Sequence, residues 1–419
     1  MAETIFWIII AFVFLDFFFS TGLGWLNQKQ WRNKLPGFLS EFYDQQEYLK
    51  AKNYHQNHFN TSLISGSISV VILLAVLFTG AFGWLDEYLR QFIENPVFLA
   101  LAYFGVLFIA SDILGLPFSL YSVFVIEEKF GFNKTDLKTF FTDKLKGYLL
   151  TIIIGGLLGG LLIWLIIEIG PSFWIYGWII FTAFAIFMNY FHTTLIVPLF
   201  NKLTPLEDGE LRNEIDKLAQ NAGFPVSNIY VLDGSKRSSK ANAFFTGFGS
   251  NKKIVLYDTL LENHTNDEIL NILAHEIGHY KKKHIVVNMT LSVLQTGIML
   301  FILSRFIYSE NLALAMGASE QSIHVNLIAF GILFGPISMI LGLIFNVISR
   351  KHEFEADAFA ANTTGNAEAM KEALKKLSVK HLANLHPHPF YVFLNYSHPP
   401  VLDRLRALDK YNEKQVSYE

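Results

Sequence analysis

Cysteine is absent from the 419 residues, which excludes disulfide scaffolds, thiol nucleophiles, iron–sulfur clusters and thiolate-bound zinc. Charge is scarce as well: Asp, Glu, Lys and Arg make up 16% of the chain, against about 25% in an ordinary soluble domain. The charges that are present nearly balance, 33 basic against 36 acidic for a net −3, and they form no basic block. Nucleic-acid binding therefore has no support. There is no internal repeat and no low-complexity segment. What remains is apolar. Hydrophobic residues reach 52%, aromatic residues 15%, and the mean hydropathy is +0.34. Much of this surface has to face lipid.

A helix that crosses the hydrocarbon core needs about 20 mostly apolar residues. Seven stretches qualify: 4–25, 63–84, 96–125, 147–169, 174–199, 284–307 and 325–348. The third contains Pro117, which predicts a kink or a helix that runs past the membrane. The first begins Met1-Ala2-Glu3 without a basic leader, and Ser20-Thr21-Gly22-Leu23 offers no cleavage site, so it reads as a retained span. Basic residues orient the set. Of the 33 Lys and Arg, 31 fall in the segments after the first, third, fifth and seventh spans, and the alternate loops hold only Arg90 and Arg305. Basic residues mark the cytoplasmic side. Residues 200–283 and the C-terminal tail are thereby predicted to be cytoplasmic, with the N-terminus opposite.

This gives four regions: a membrane bundle over 1–199, a cytoplasmic α+β segment over 200–283, two spans over 284–348 and a cytoplasmic helical tail over 349–419. In the α+β segment a turn at Leu203-Thr204-Pro205-Leu206 precedes a helix near 208–222, ended by Gly223 and Pro225. Strands are predicted at Asn228–Leu232, Asn242–Phe248 and Lys253–Tyr257, the last two joined through Gly249-Ser250-Asn251. The tail reads as helices broken at His386-Pro387-His388-Pro389 and at Pro399-Pro400.

The string His275-Glu276-Ile277-Gly278-His279 carries the chemistry. Thr265 with Glu268 forms a capping box that starts a helix here, and Ile269, Ile272, Leu273 and Ile277 recur with helical spacing as its buried face. Two His four apart project from one face about one turn apart, as two zinc ligands require. Glu276 beside them is placed to polarise an attacking water rather than to ligate. The plain alternative is a helix with two surface histidines, yet a shuffle of this composition would produce roughly 0.02 such matches. A third ligand of the metzincin type is missing: positions 282 and 285 are Lys282 and Ile285, and His284 falls one short. Downstream, Asn346, Arg350, Glu353 and Asp357 form one polar stripe on a helix leaving the seventh span. The plain alternative there is a solvated helix face. Glu353 is the predicted ligand, with Glu355 on the other side of the helix the weaker choice. Asp357, one turn on, would orient a ligating imidazole or handle the proton for the leaving amine. In the tail, Pro399 after His398 starts a helix with Arg404 in its second turn; taken alone, His398 reads as an exposed or structural residue.

At these residues the chain resembles the type I CAAX prenyl endopeptidases, integral-membrane zinc proteases that cleave isoprenylated CAAX C-termini. The resemblance is carried by Leu120 to Asn133, Pro198 to Leu206, Asn242-Ala243-Phe244-Phe245, the HExxH string, Ser349 to Asp357 and Ser397-His398-Pro399-Pro400. Ile126 to Asn133 is the most family-specific part, having no role in generic zinc peptidases. The resemblance implies a mainly α membrane protein whose seven helices form a barrel around an internal chamber, under a small α+β zinc-peptidase cap on the cytoplasmic side. It implies one zinc ion per chain at His275, His279 and Glu353, with Glu276 as base and Asp357 and His398 in the catalytic set. It further implies Asn242 and Ala243 on an edge strand that pairs with substrate, and His398 and Arg404 at the scissile region. Partners would be a prenylated or related peptide or protein and membrane lipid. The compact ends, finishing Lys414-Gln415-Val416-Ser417-Tyr418-Glu419 without a retrieval signal, favour a bacterial inner membrane, with the endoplasmic reticulum membrane the alternative for a eukaryotic chain. Two other readings stand beside this one: a heat-shock-type membrane zinc peptidase that clears misfolded proteins, and a seven-span transporter whose polar membrane residues would be Asp16, Asp112 and Asn189.

Overall fold

The computed structural model describes residues 1–224, 228–246 and 253–416, with side chains up to residue 410. Six stretches are helical, long and apolar enough to cross a membrane: Ala2–Gln28, Gln45–Phe78, Pro96–Phe130, Leu137–Phe200, His284–Phe306 and Ile323–Thr364. Their starts follow from side-chain caps. Asp44 accepts from the amides of Gln46 and Glu47, and Asn95 from Val97 and Phe98, with Pro96 in the first helical position. Ile8, Phe18, Val71, Phe98, Ile152 and Ile340 on these helices stay exposed. Leaving such side chains in water forgoes about 1.5–3 kcal/mol apiece, so the bundle's natural solvent is lipid.

The fourth stretch has 64 residues, which as one rod would measure about 96 Å against a hydrocarbon core of about 30 Å. It is not one rod. The helix Gly156–Ile169 stops at Gly170, whose φ of 67° suits a residue without a Cβ. A single turn, Gly170–Ser172, follows, and the helix Phe173–Leu195 packs back against the first arm. The third stretch continues through Pro117 and a π-helical segment, Ser122–Glu127, as far as Phe130. Much of the segment singled out at Ile126–Asn133 is therefore helix, ended by Gly131. Asp112 in this stretch is paired, 2.5 Å from Lys144 and hydrogen-bonded by the Tyr148 hydroxyl, as a carboxylate at membrane depth has to be.

The soluble part is a four-stranded sheet and the helices around it. Strands β1 (Leu203–Pro205), β2 (Asn228–Leu232), β3 (Ala243–Thr246) and β4 (Lys253–Tyr257) lie in the order β1-β2-β4-β3. The β2–β4 pair is parallel and the β3–β4 pair antiparallel, with Ala243 opposite Leu256 and Phe245 opposite Ile254. β3 thus starts one residue after Asn242, and the expected connection at Gly249-Ser250-Asn251 lies outside the described residues. Ile229, Ile254 and Leu256 of the sheet pack against Ile215 and Leu218 of the helix Glu210–Asn221 and against Ile269, Leu273 and Ile277 of the helix Asn266–Lys281. Met370, Leu374, Leu405 and Leu408 from the tail close the same core. The predicted breaks in the tail fall between its helices Ala367–Lys380, Pro389–Asn395 and Val401–Val416.

Candidate metal centre

The helix Asn266–Lys281 begins with the predicted capping box: the Thr265 amide donates to Glu268 Oε2 at 3.0 Å, and the Glu268 amide to Thr265 Oγ1 at 3.4 Å. This helix lies across the long helix Ile323–Thr364, and Gly278 lets them touch. A Cβ on Gly278 would come within 3.2 Å of Ala356 Cα and 3.1 Å of the Phe359 ring. The close crossing brings the ligand candidates together across 78 residues of sequence. His275 Nε2 is 3.1 Å from His279 Nε2 and 3.5 Å from Glu353 Oε2, and His279 Nε2 is 3.4 Å from Glu353 Oε1.

These spacings can be tested against a metal. Four-coordinate zinc with bonds of about 2.0–2.2 Å sets its ligand atoms about 3.4 Å apart, close to all three distances. Two imidazole nitrogens and a carboxylate converging in this way are what a divalent cation would hold together. Among the described residues, His275, His279 and Glu353 are the one group of this kind that could hold a metal ion.

Each candidate ligand is braced from behind. His275 Nδ1 is 2.9 Å from Asp357 Oδ1. Asp357 in turn accepts two bonds from Arg404, from Nε at 2.7 Å and Nη2 at 2.6 Å, and Arg404 Nη1 is 3.3 Å from Glu353 Oε2. Burial works to lower the basicity of His275, but hydrogen bonds to Asp357 and Glu353 outweigh it and push its pKa up to about 9 in the metal-free site. His279 is braced by two residues that the sequence offers only as weaker ligand choices. His284 Nδ1 sits 3.0 Å from His279 Nδ1, while His284 Nε2 meets Glu355 Oε2 at 3.1 Å. The His284 ring also stacks on His352, with centroids 3.9 Å apart. Three His within ten positions was the available signal; the sharp turn that returns His284 to His279, with Lys283 at φ 61°, was not visible.

Glu276 is half-buried and, with Phe244, Phe245, Asn288, Ser349 and His398, lines a cavity of about 360 Å³ beside the three candidate ligands. Burial raises its carboxyl pKa, against the opposing pull of His275 and His279. His398 is exposed, yet its Nδ1 lies 3.0 Å from Glu353 Oε2. Arg404 and Asp357 do not line this cavity. The stripe on the long helix divides: Glu353 and Asp357 turn to the histidines, while Asn346 donates to the Leu394 carbonyl and Arg350 to those of Val392 and Tyr396. β3 closes one side of the cavity. The Tyr257 amide donates to the Asn242 carbonyl, so Asn242 faces β4 and the backbone groups of Ala243 and Phe245 face the open edge. There the Ala243 amide is held by Asn242 Oδ1 at 2.9 Å. Larger cavities lie among the membrane helices, one of about 620 Å³ reaching from Asn242 and Phe244 to Asn189 and His192, another of about 760 Å³ that includes Asp16.

Comparison with known proteins decides the family. Residues 26–202 match a family described as CAAX prenyl protease N-terminal, five membrane helices, and residues 205–412 match peptidase family M48. The Arabidopsis thaliana CAAX prenyl protease 1 homolog is 35% identical, covering 91% of this chain and 91% of its own length. The chain belongs to the CAAX prenyl protease 1 family of M48 peptidases. The Saccharomyces cerevisiae CAAX prenyl protease 1 is 34% identical over 97% of this chain and 96% of its own, and the Homo sapiens homolog 35% over 85% and 81%. The crystal structure of S. mikatae Ste24p superposes with a TM-score of 0.91 at 34% identity, over 97% of this chain and 99% of that one. The protein is thus a multi-pass membrane metalloendopeptidase with a mainly helical, Ste24p-like fold, and M48 membership implies a bound metal.

Proposed function

We propose that the protein is a zinc endopeptidase that cleaves near the C-terminus of isoprenylated CAAX-type or related membrane-associated peptides, with its catalytic side toward the cytoplasm. The match of the three donor spacings to a tetrahedral zinc shell carries the chemical part of this reading. The names of the relatives support the substrate class. Zinc, one ion per chain held by His275, His279 and Glu353, would supply the positive charge that polarises both a water and the scissile carbonyl.

The chain's own residues do the rest. Glu276 Oε takes the proton of the attacking water and passes it to the departing amide nitrogen; its raised pKa brings the carboxyl closer to the neutral range in which such transfer works best. His398, on the cavity wall, donates a hydrogen bond to the oxygen that gains charge as the carbonyl becomes tetrahedral. Asp357 fixes the tautomer and ring angle of His275, and Arg404 holds Asp357 in place. This gives Arg404 an orienting role rather than direct contact with the scissile bond. The open edge of β3, with Asn242 and Ala243, pairs with the extended substrate backbone beside Glu276. Seven crossings, with the 64-residue stretch counted as two, enclose a chamber in a barrel of helices, and the sheet with the tail forms the cap. The four regions 1–199, 200–283, 284–348 and 349–419 are kept as this division, and lipid surrounds the bundle.

Metal analysis combined with cleavage of farnesylated and unmodified forms of one quenched peptide tests this. Wild type should carry one zinc per chain and prefer the farnesylated form. Glu276→Gln should keep the zinc and lose at least about 10³-fold in kcat. Equal cleavage of both forms would favour membrane-protein quality control as the biological task, and full activity in Glu276→Gln would remove the hydrolytic mechanism.

A further inference from the structure

The segment Ile126–Asn133, singled out in the sequence, lies away from the cavity beside the metal ligands and has so far no part in the reaction. Its carboxylate, Glu127, is a hub. Glu127 Oε1 accepts from the Tyr54 hydroxyl at 2.6 Å and lies 3.1 Å from His58 Nε2; Oε2 accepts from Lys240 Nζ at 3.1 Å. Lys240 Nζ also donates to the Tyr54 hydroxyl at 3.0 Å and sits 4.4 Å from the centroid of the Phe132 ring. Its ammonium is therefore enclosed by a carboxylate, a phenol and an aromatic face. Backbone pairing runs alongside: Lys134 N to the Arg237 carbonyl at 3.0 Å and Ser239 N to the Phe132 carbonyl at 3.1 Å, with Asn133 and Ser238 forming a bridge. The Lys240 amide donates to Ser238 Oγ at 3.2 Å, its carbonyl accepts from Thr259 Oγ1 at 3.0 Å, and Ala241 N donates to His381 Nε2 at 3.1 Å. The main chain from Arg237 to Ala241 is thus tied at every residue, and the Lys240 side chain adds a charged tie to the helix end at Glu127. Two residues later β3 begins.

A partly exposed ion pair contributes little to stability, so its meaning lies in what it positions. We infer that Glu127 and Lys240 are positioning residues for the substrate: they hold the chain leading into β3 so that its open edge, at Ala243 and Phe245, stands at the depth and register where a peptide pairs beside Glu276. This rests on the edge-strand reading above. It also gives the family-specific helix end a function, because Glu127 ties the membrane helices Gln45–Phe78 and Pro96–Phe130 to the strand through charge-assisted bonds. A shift of about 1 Å in such a guide can cost up to about 10²-fold in turnover efficiency.

The test uses the full chain with a quenched peptide. Glu127→Gln and Lys240→Met should each raise KM about 5- to 20-fold, with kcat and zinc content within about twofold of wild type. The charge-swapped double variant Glu127→Lys with Lys240→Glu should return KM to within about threefold of wild type. Unchanged KM in both single variants, or a raised KM that the swap leaves unrepaired, overturns the inference. So does a loss of zinc and kcat at constant KM, which is what general loosening would produce. Peptides N-methylated at successive amides, given to wild type, test the underlying edge strand separately. Pairing with β3 predicts weakened binding at every second position, and equal binding throughout rejects the edge strand itself, whatever the Glu127 variants do.

Discussion

At the scale of the residue, the proposed metal centre is a problem of competing charges. His275 is buried, which by itself would keep its ring neutral, but Asp357 and Glu353 raise its pKa to about 9 in the metal-free site. Below pH 9 a metal must then displace a proton from His275, and above it the nitrogen is already free. Zinc affinity is therefore expected to rise about tenfold per pH unit between pH 6.5 and 8.5 and to level off beyond 9, with a proton released on binding. Calorimetric titration of the metal-stripped protein in two buffers of different ionisation enthalpy measures both, and a flat affinity from pH 7 to 9 would show that His275 is already unprotonated. For the same proton, the sign for folding is the reverse: a raised imidazole pKa stabilises the metal-free fold below about 6.5 and this gain fades as pH climbs through 9. The sequence made His275, Glu276 and His279 legible because helical spacing places them by local rules alone. The polar stripe made Glu353 legible too, since carboxylates leaving a membrane helix need a partner. His284 and Glu355 were not legible, because their role depends on one residue in a left-handed turn and on which face of a second helix is turned inward. Arg404, which the resemblance puts at the scissile region, has its guanidinium bound to Asp357, a pairing that no local spacing displays.

At the scale of the element, the centre depends on how closely the helix Asn266–Lys281 crosses the helix Ile323–Thr364. The side chain absent from Gly278 sets that separation, because a Cβ there would already press on Ala356 Cα and Phe359. The backbone has no flexible side chain to move aside at Ala356. Gly278→Val adds two further carbons against the same surface, and overpacking of this kind costs about 1–3 kcal/mol. The expected result is a lower thermal midpoint together with zinc affinity weakened at least about tenfold, since His275 and His279 move away from Glu353 as one unit. Scanning calorimetry and a chelator competition measure the two effects; an unchanged zinc affinity would show that the crossing distance does not set the site. The fold was legible at this level wherever periodicity or capping residues acted locally, as at Thr265 with Glu268. At the third span Pro117 allowed a kink or a helix running past the membrane, and helix does persist through Pro117 and a π segment to Phe130, longer than one crossing needs; the π segment itself left no mark in the sequence pattern.

At the scale of the whole molecule, the distribution of basic residues and the wrap of the tail make one statement: everything around the metal centre belongs to a single side of the membrane. The core beneath the sheet takes side chains from the segment before the sixth span and from the tail after the seventh, and two such segments can share a core only if they emerge on the same face. The seven crossings proposed above would then put the N-terminus on the other face, together with Gln91 and Glu320. The absence of cysteine makes this directly measurable, because any introduced cysteine is the only thiol in the chain. Single cysteines at Lys34, Lys138, Lys217, Gln91 and Glu320, all exposed, should divide into two sets in right-side-out vesicles or cells: Gln91→Cys and Glu320→Cys labelled by an impermeant maleimide from outside, the other three only after the membrane is opened. Labelling of Lys138→Cys from outside would break the hairpin at Gly170 or the crossing at Pro96–Phe130. The number of spans, the orientation of the cap and the route by which a substrate reaches β3 would then all have to be redrawn together.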